Sequence, residues 1–227
     1  DFSGEKVIVL SATTNGTLYA KWIEYVPTIA EVKALSQNVE TKATGVVTFI
    51  NGKNVYIQDV TGGILLYMAA KPTLTVGQQV IVEGKTAIYG GAPEIKNVEV
   101  ISAEAGVMPE PIVLENLTPL MDDTSFKYYG QLVSVPALTI TGYDSYNNPT
   151  FSDGINSIKG YKMVLDPASF PVGTRVSVTA VAAYYIGYQF QGDVAGIQKV
   201  RAAKYDTYAY PERHGKYNLT NNWVISN

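Results

Sequence analysis

Short apolar or alternating runs, cut by glycine, asparagine and proline, recur along most of the chain. Runs at 7–10, 45–50, 55–59, 64–68 and 80–83 each read as a strand bounded by turn residues. Helical periodicity is confined to two places. At 29–35, Ile29, Val32 and Leu35 fall three apart behind Pro27-Thr28, a helix start, and 113–120 carries a weaker version of the same spacing. Short strands with a turn every ~8–12 residues predict an all-β barrel or sandwich.

An internal repeat refines that expectation. Lys42-Ala43-Thr44-Gly45-Val46-Val47 is echoed by Lys127-Tyr128-Tyr129-Gly130-Gln131-Leu132, and each is expected to open a strand. Val76-Gly77-Gln78-Gln79-Val80 is echoed by Val172-Gly173-Thr174-Arg175-Val176, a turn that launches another strand. Each Val-Gly pair is followed by a tyrosine- and glycine-rich hairpin, Tyr89-Gly90-Gly91-Ala92 in the first copy and Tyr184-Tyr185-Ile186-Gly187-Tyr188 in the second. The glycine-to-Val-Gly spacing is longer in the second copy, which an inserted loop at 142–149 accounts for. The chain has 227 residues, room for two domains of ~100 residues each.

The order of strand, turn, Val55-Tyr56-Ile57-Gln58-Asp59, turn at Thr61-Gly62-Gly63, Ile64-Leu65-Leu66-Tyr67, then Val-Gly and two further strands resembles the OB-fold domains of bacterial secreted multidomain proteins, of the gut Bacteroides type, and of extracellular nucleases. The resemblance covers 40–105 well and 125–200 as a more diverged copy. It implies an all-β fold of two consecutive five-stranded OB-type Greek-key barrels with short helices, each closed so that no long strand edge is left unpaired. Thr17-Leu18-Tyr19-Ala20-Lys21-Trp22 is similar to the closing strand of a bacterial surface repeat. The expected organisation is therefore a remnant strand at 1–25, OB domains at 26–112 and 113–200, and at 201–227 an aromatic-rich strap or the start of a following domain.

Candidate chemistry narrows the function classes. The chain has no cysteine and one histidine, so thiolate and imidazole ligands for a transition metal are scarce, and no cofactor or metal is expected. That histidine, His214, sits in the polar stretch Pro211-Glu212-Arg213-His214-Gly215, where a solvated loop residue is the simpler reading than a catalytic one. Asp122-Asp123 and the group Asp144, Asn147, Asn148 and Asp153 supply oxygens that suit calcium, but without EF-hand spacing they read first as turn residues, as does Asp59. No phosphate-binding glycine loop occurs. An enzyme is not expected.

OB barrels that bind ligands use the face of strands 2 and 3 together with the loops joining strands 1-2 and 4-5. On that basis the candidate binding residues are Asn51, Lys53, Tyr56, Gln58, Tyr67 and Tyr89 in the first copy. In the second they are Tyr143, Tyr146, Tyr184, Tyr185 and Tyr188. Aromatic rings with nearby amides suit sugar faces or bases, while strand tyrosines that pack on a barrel surface or a neighbouring domain are the simpler account. The net charge of -3, with slightly more acids than bases in each predicted barrel, disfavours phosphate-rich partners.

The resulting expectation is a non-catalytic extracellular binding or spacer module of a larger secreted or surface-anchored protein, located outside the cell or on a bacterial outer membrane. Its expected partners are flanking domains of the same polypeptide and a weakly bound polysaccharide. Single-stranded nucleic acid, in support of an extracellular nuclease, is the alternative. No apolar run is long enough for a membrane span.

Overall fold

The computed structural model describes Glu5–Ser11 and residues 19–200, with side chains from Glu24 onward. His214 and the aromatic tail lie outside the described residues, as do Thr17 and Leu18. β1 (Glu5–Ser11) and β2 (Tyr19–Glu24) pair antiparallel as a separate two-stranded sheet, which takes up the rest of the Thr17–Trp22 segment.

The body of the chain is all-β, with sheets that form barrels. After the short helix α1 (Ile29–Lys33) come β3 (Glu40–Asn51), β4 (Asn54–Gln58), β5 (Gly63–Tyr67), β6 (Gln78–Tyr89) and β7 (Ala92–Ala105). They close into a barrel in the order β3-β4-β5-β7-β6, with β5 and β7 parallel and the other pairs antiparallel. Alternation produces the core: Val80 and Val82 of β6 turn inward to meet Val47, Ile57, Leu66 and Ile95. Ile29 and Val32 of α1 join the same core.

α1 is shorter than its periodicity predicts, because it ends at Lys33 and leaves Leu35 40% exposed. Thr28 and Glu31 form a reciprocal capping box at its start. A second cap comes from outside the helix. Asp59 Oδ2 accepts from Ile29 N at 2.9 Å, while Oδ1 accepts from Thr61 N and Gly62 N in its own turn.

The second half repeats this plan. β8 (Ile112–Val113) and α2 (Thr118–Met121) precede β9 (Leu132–Tyr143), β10 (Pro149–Ser152), β11 (Ser157–Gly160), β12 (Arg175–Tyr184), β13 (Tyr188–Gln191) and β14 (Ile197–Lys199). Their sheet runs β14-β12-β13-β11-β10-β9-β8, and β12 also pairs with β9. The five strands from β9 to β13 thus follow the pairing order of the first barrel, again with the third and fifth parallel. Asp153 repeats the role of Asp59, accepting from Leu117 N at 2.8 Å with Oδ2 and from Ile155 N and Asn156 N with Oδ1. The helix expected over 113–120 is displaced to Thr118–Met121, and Val113 belongs to a strand.

Backbone pairing corrects one half of the sequence repeat. Gly77 and Gly173 both have φ of 91°, and their N–H groups donate to Val47 O and Ile140 O, each at 2.8 Å. The Val-Gly turns are therefore equivalent. Val80 opposes Gly45, whereas Val176 opposes Leu138. The counterpart of Gly45 is Leu138, not Gly130, which lies before β9 in a left-handed turn with φ of 76°. The longer β9–β10 connection supplies only part of the extra spacing. Asp144 closes that connection by accepting from the backbone N–H groups of Tyr146 and Asn148 at 2.9 Å.

A third cluster joins the halves: Tyr56, Leu65 and Ala92 of the first barrel against Tyr129, Val181 and Ala183 of the second half. At its edge two backbones touch. A Cβ on Gly63 would stand 2.2 Å from the Gly130 carbonyl, and one on Gly130 would stand 2.5 Å from Gly63. Beside this contact the Lys33 ammonium donates to Phe126 O at 2.9 Å and Tyr129 O at 3.0 Å. Burial lowers its pKa to about 8 against the opposing pull of Asp123 and Asp59.

Gly63→Ala is expected to cost ~1–3 kcal/mol in urea unfolding, because the backbone it would strike cannot turn aside as a side chain can. Gly187→Ala, where a Cβ meets nothing within 4 Å, should stay within ~0.5 kcal/mol of the parent. Equal stability of the two variants would refute the backbone contact.

Candidate functional site

The outer face of the first barrel is set by register. Because Val55, Ile57, Ile64, Leu66 and Ile95 point inward, their neighbours point out in three rows across β4, β5 and β7. Gln58 opposes Gly63 in the first row; Tyr56, Leu65 and Glu94 form the second; Asn54, Tyr67 and Lys96 form the third. The first row meets the second sheet directly, with Gln58 Oε1 accepting from Leu132 N at 2.8 Å. In the second row Tyr56 and Leu65 are buried against Tyr129 and Val181. By the third row the surfaces have parted.

The space so opened is a cleft of about 490 Å³ between the halves. One wall is Asn54, Tyr56, Leu65, Tyr67, Tyr89 and Glu94; the other is Tyr161, Tyr184, Tyr185, Gln189 and Gln191. Its rim is made by the two tyrosine-rich hairpins. Tyr89 and Tyr185 stand with ring centroids 5.4 Å apart, and Ile186 N donates to Gly90 O at 2.7 Å. Gly90 has φ of 59°, and a Cβ there would strike the Tyr185 ring at 2.4 Å. Ile186 also has φ of 60°, an uncommon state for a β-branched residue, which this inter-hairpin hydrogen bond helps to hold.

Tyr67, Tyr89, Tyr161 and Tyr185 are exposed enough to offer ring faces, at 47%, 59%, 42% and 50%. Glu94 is only 7% exposed. Burial raises the pKa of its carboxyl, with Lys96 acting in the opposite sense. Deeper in the seam, burial raises the phenol pKa values of Tyr56, Tyr129 and Tyr188. For Tyr188 a 2.6 Å hydrogen bond to Asp123 Oδ2 adds to the effect.

The candidate residues named from sequence divide accordingly. Tyr56, Tyr67, Tyr89, Tyr184 and Tyr185 come together in the cleft, although they belong to different copies. Gln58 and Tyr188 lie in the seam between the halves. Asn51 Nδ2 donates to Gln191 Oε1 at 3.4 Å at the margin of the cleft. Lys53 is exposed and donates to Ala69 O at 2.6 Å. Tyr143 donates to Phe170 O and packs on the second core, while Tyr146 is 77% exposed on the β9–β10 turn, away from the cleft. Asn54, Glu94, Tyr161, Gln189 and Gln191 were not expected. Glu94 alternates with inward-facing Ile95, but only the parallel β5–β7 pairing puts it in line with Tyr56.

No protein-family model and no curated protein matches the chain. Among solved structures, a murine DNA-binding protein bound to double-stranded DNA is similar over 74% of this chain and 99% of its own, with 8% identity and a TM-score of 0.32. A multidomain protein with nucleic-acid-binding domains from Streptococcus pneumoniae TIGR4 is similar over 72% of this chain and 46% of its own, with 12% identity and a TM-score of 0.20. Neither score supports an argument about this chain.

The phenols set the sign of the alkaline response. A raised folded-state pKa gives stability that is intact below the ordinary phenol value of 10.0 and is lost as pH rises above it, because the unfolded chain ionises first. Stability in urea should therefore fall above pH ~10, and Tyr56→Phe should make that fall shallower. An unchanged slope would contradict the burial of this phenol.

Proposed function

We propose that the chain is a non-catalytic binding module of two consecutive OB-type Greek-key barrels, part of a larger secreted or surface-anchored protein, and that the cleft between them takes a glycan. The observation that carries the reading is the composition of the cleft. Exposed tyrosine rings on opposed walls suit the apolar faces of sugars, and the amides of Asn54, Gln189 and Gln191 suit their hydroxyls. Its volume lies within the ~300–1,000 Å³ usual for small-ligand sites.

The pairing order common to both halves supports the tandem OB assignment, since a five-stranded Greek-key barrel has this arrangement of strands. The strand 2 and 3 face of the first barrel is largely covered by the second sheet, so the binding surface is shifted to the part of that face which stays open. Glycoside cleavage takes two carboxylates, and the described lining supplies Glu94 alone. Single-stranded nucleic acid needs cationic groups along its path. Among the described residues the lining has no lysine or arginine, and phosphates would meet Glu94.

Glycan-array screening followed by calorimetry on the 227-residue chain tests the reading. An oligosaccharide should be retained, and Tyr67→Ala should weaken it about tenfold, or ~1.4 kcal/mol. Retention of single-stranded DNA at low salt with no glycan retained would favour the nucleic-acid alternative instead.

A further inference from the structure

We propose that the cleft selects a cationic amino sugar, whose ammonium group pairs with Glu94; the inference rests on the glycan reading above. Glu94 sits in the wall between Tyr56 and the strand end at Tyr89, 7% exposed and lining the cleft. No hydrogen bond from a described residue reaches its carboxylate, and among the described residues the ion pairs are Lys42 with Glu24 and Lys85 with Glu40. Lys96, two positions along β7, lies in the next row and makes no ion pair with Glu94.

A carboxylate withdrawn from water without a partner is costly, and the cost is relieved by a counter-charge. The surroundings specify what kind. Calcium and magnesium take six or more oxygen ligands, but the described residues contain no cluster of three metal-binding side chains, and the neighbours of Glu94 in the cleft are mostly rings. Tyrosine faces attract an organic cation within ~6 Å, so an ammonium group gains from the rings and the carboxylate together. Tyr67, Tyr89 and Tyr185 supply those faces at the mouth. The Gln189 side chain, which makes no hydrogen bond to a described residue, can meet a hydroxyl on the same ligand.

A neutral sugar would cover Glu94 with only the more distant charge of Lys96 to offset it, and an anionic one would be repelled. The amine therefore supplies the difference between ligands of nearly the same shape.

Calorimetry with short oligomers of glucosamine, N-acetylglucosamine and glucose on the intact chain tests the proposal. The free-amine oligomer should bind at least ~10-fold more tightly than the acetylated one, and added salt should weaken the first more than the second. Glu94→Gln should reduce the preference to less than ~3-fold and remove the extra salt dependence of the free-amine oligomer, since the amide keeps the shape and loses the charge. Equal binding of all three sugars to the parent chain would overturn the amine inference and leave the glycan reading intact. Binding of none of them would overturn the amine inference, while the glycan reading falls only if the array also retains no oligosaccharide. Should Glu94→Gln unfold, the amine preference and its salt dependence in the parent chain decide the matter alone.

Discussion

The approach of Gly63 to Gly130 sets the relation between the two halves of the molecule. With no Cβ on either side, two backbones come close enough that Gln58 reaches the Leu132 amide and Lys33 reaches the Phe126 and Tyr129 carbonyls. This is a hinge line in the geometric sense only. Starting from contact at the glycine row, the outer face of the first barrel diverges from the second sheet row by row. Packed tyrosines occupy the middle row and open space the third. The cleft is thus a consequence of where contact is closest.

Apolar burial and polar pairing divide the work along this seam. Tyr56, Leu65, Tyr129 and Val181 are buried together there, at ~1.5–3 kcal/mol for each large side chain fully buried. That attraction does not depend strongly on direction. Direction comes from the polar groups, because Gln58 and Lys33 each find a partner in the other half at only one relative placement. The hydrogen bond from Ile186 N to Gly90 O fixes the far end in the same way.

Much of the fold was legible because it is written in local rules. The Val-Gly turns at 76–77 and 172–173 require a positive φ, and both have it, so they aligned the two copies correctly. The Lys-x-x-Gly echo failed because it consists of common residues under no shared constraint. A better marker was the aspartate that ends the second strand of the plan. Asp59 and Asp153 each cap the helix start lying ahead of their own sheet, but their surrounding sequences share too little to be aligned by eye. The site was half legible for a related reason. Alternation and hairpin composition pointed to the tyrosines, whereas Glu94 and Gln191 gain their meaning from a parallel pairing and from the other half of the chain. No periodicity within a single strand encodes either.

The two hairpins that frame the cleft come from different halves, and this has a mechanical consequence. A pull on the chain that drew the halves apart would part Tyr89 from Tyr185 and Ile186 from Gly90 while leaving each sheet's own ladders in place. The pocket would vanish under loads too small to unravel a strand. By the same linkage, any molecule seated between the walls would act as a rivet, so occupancy and resistance to tension would rise together.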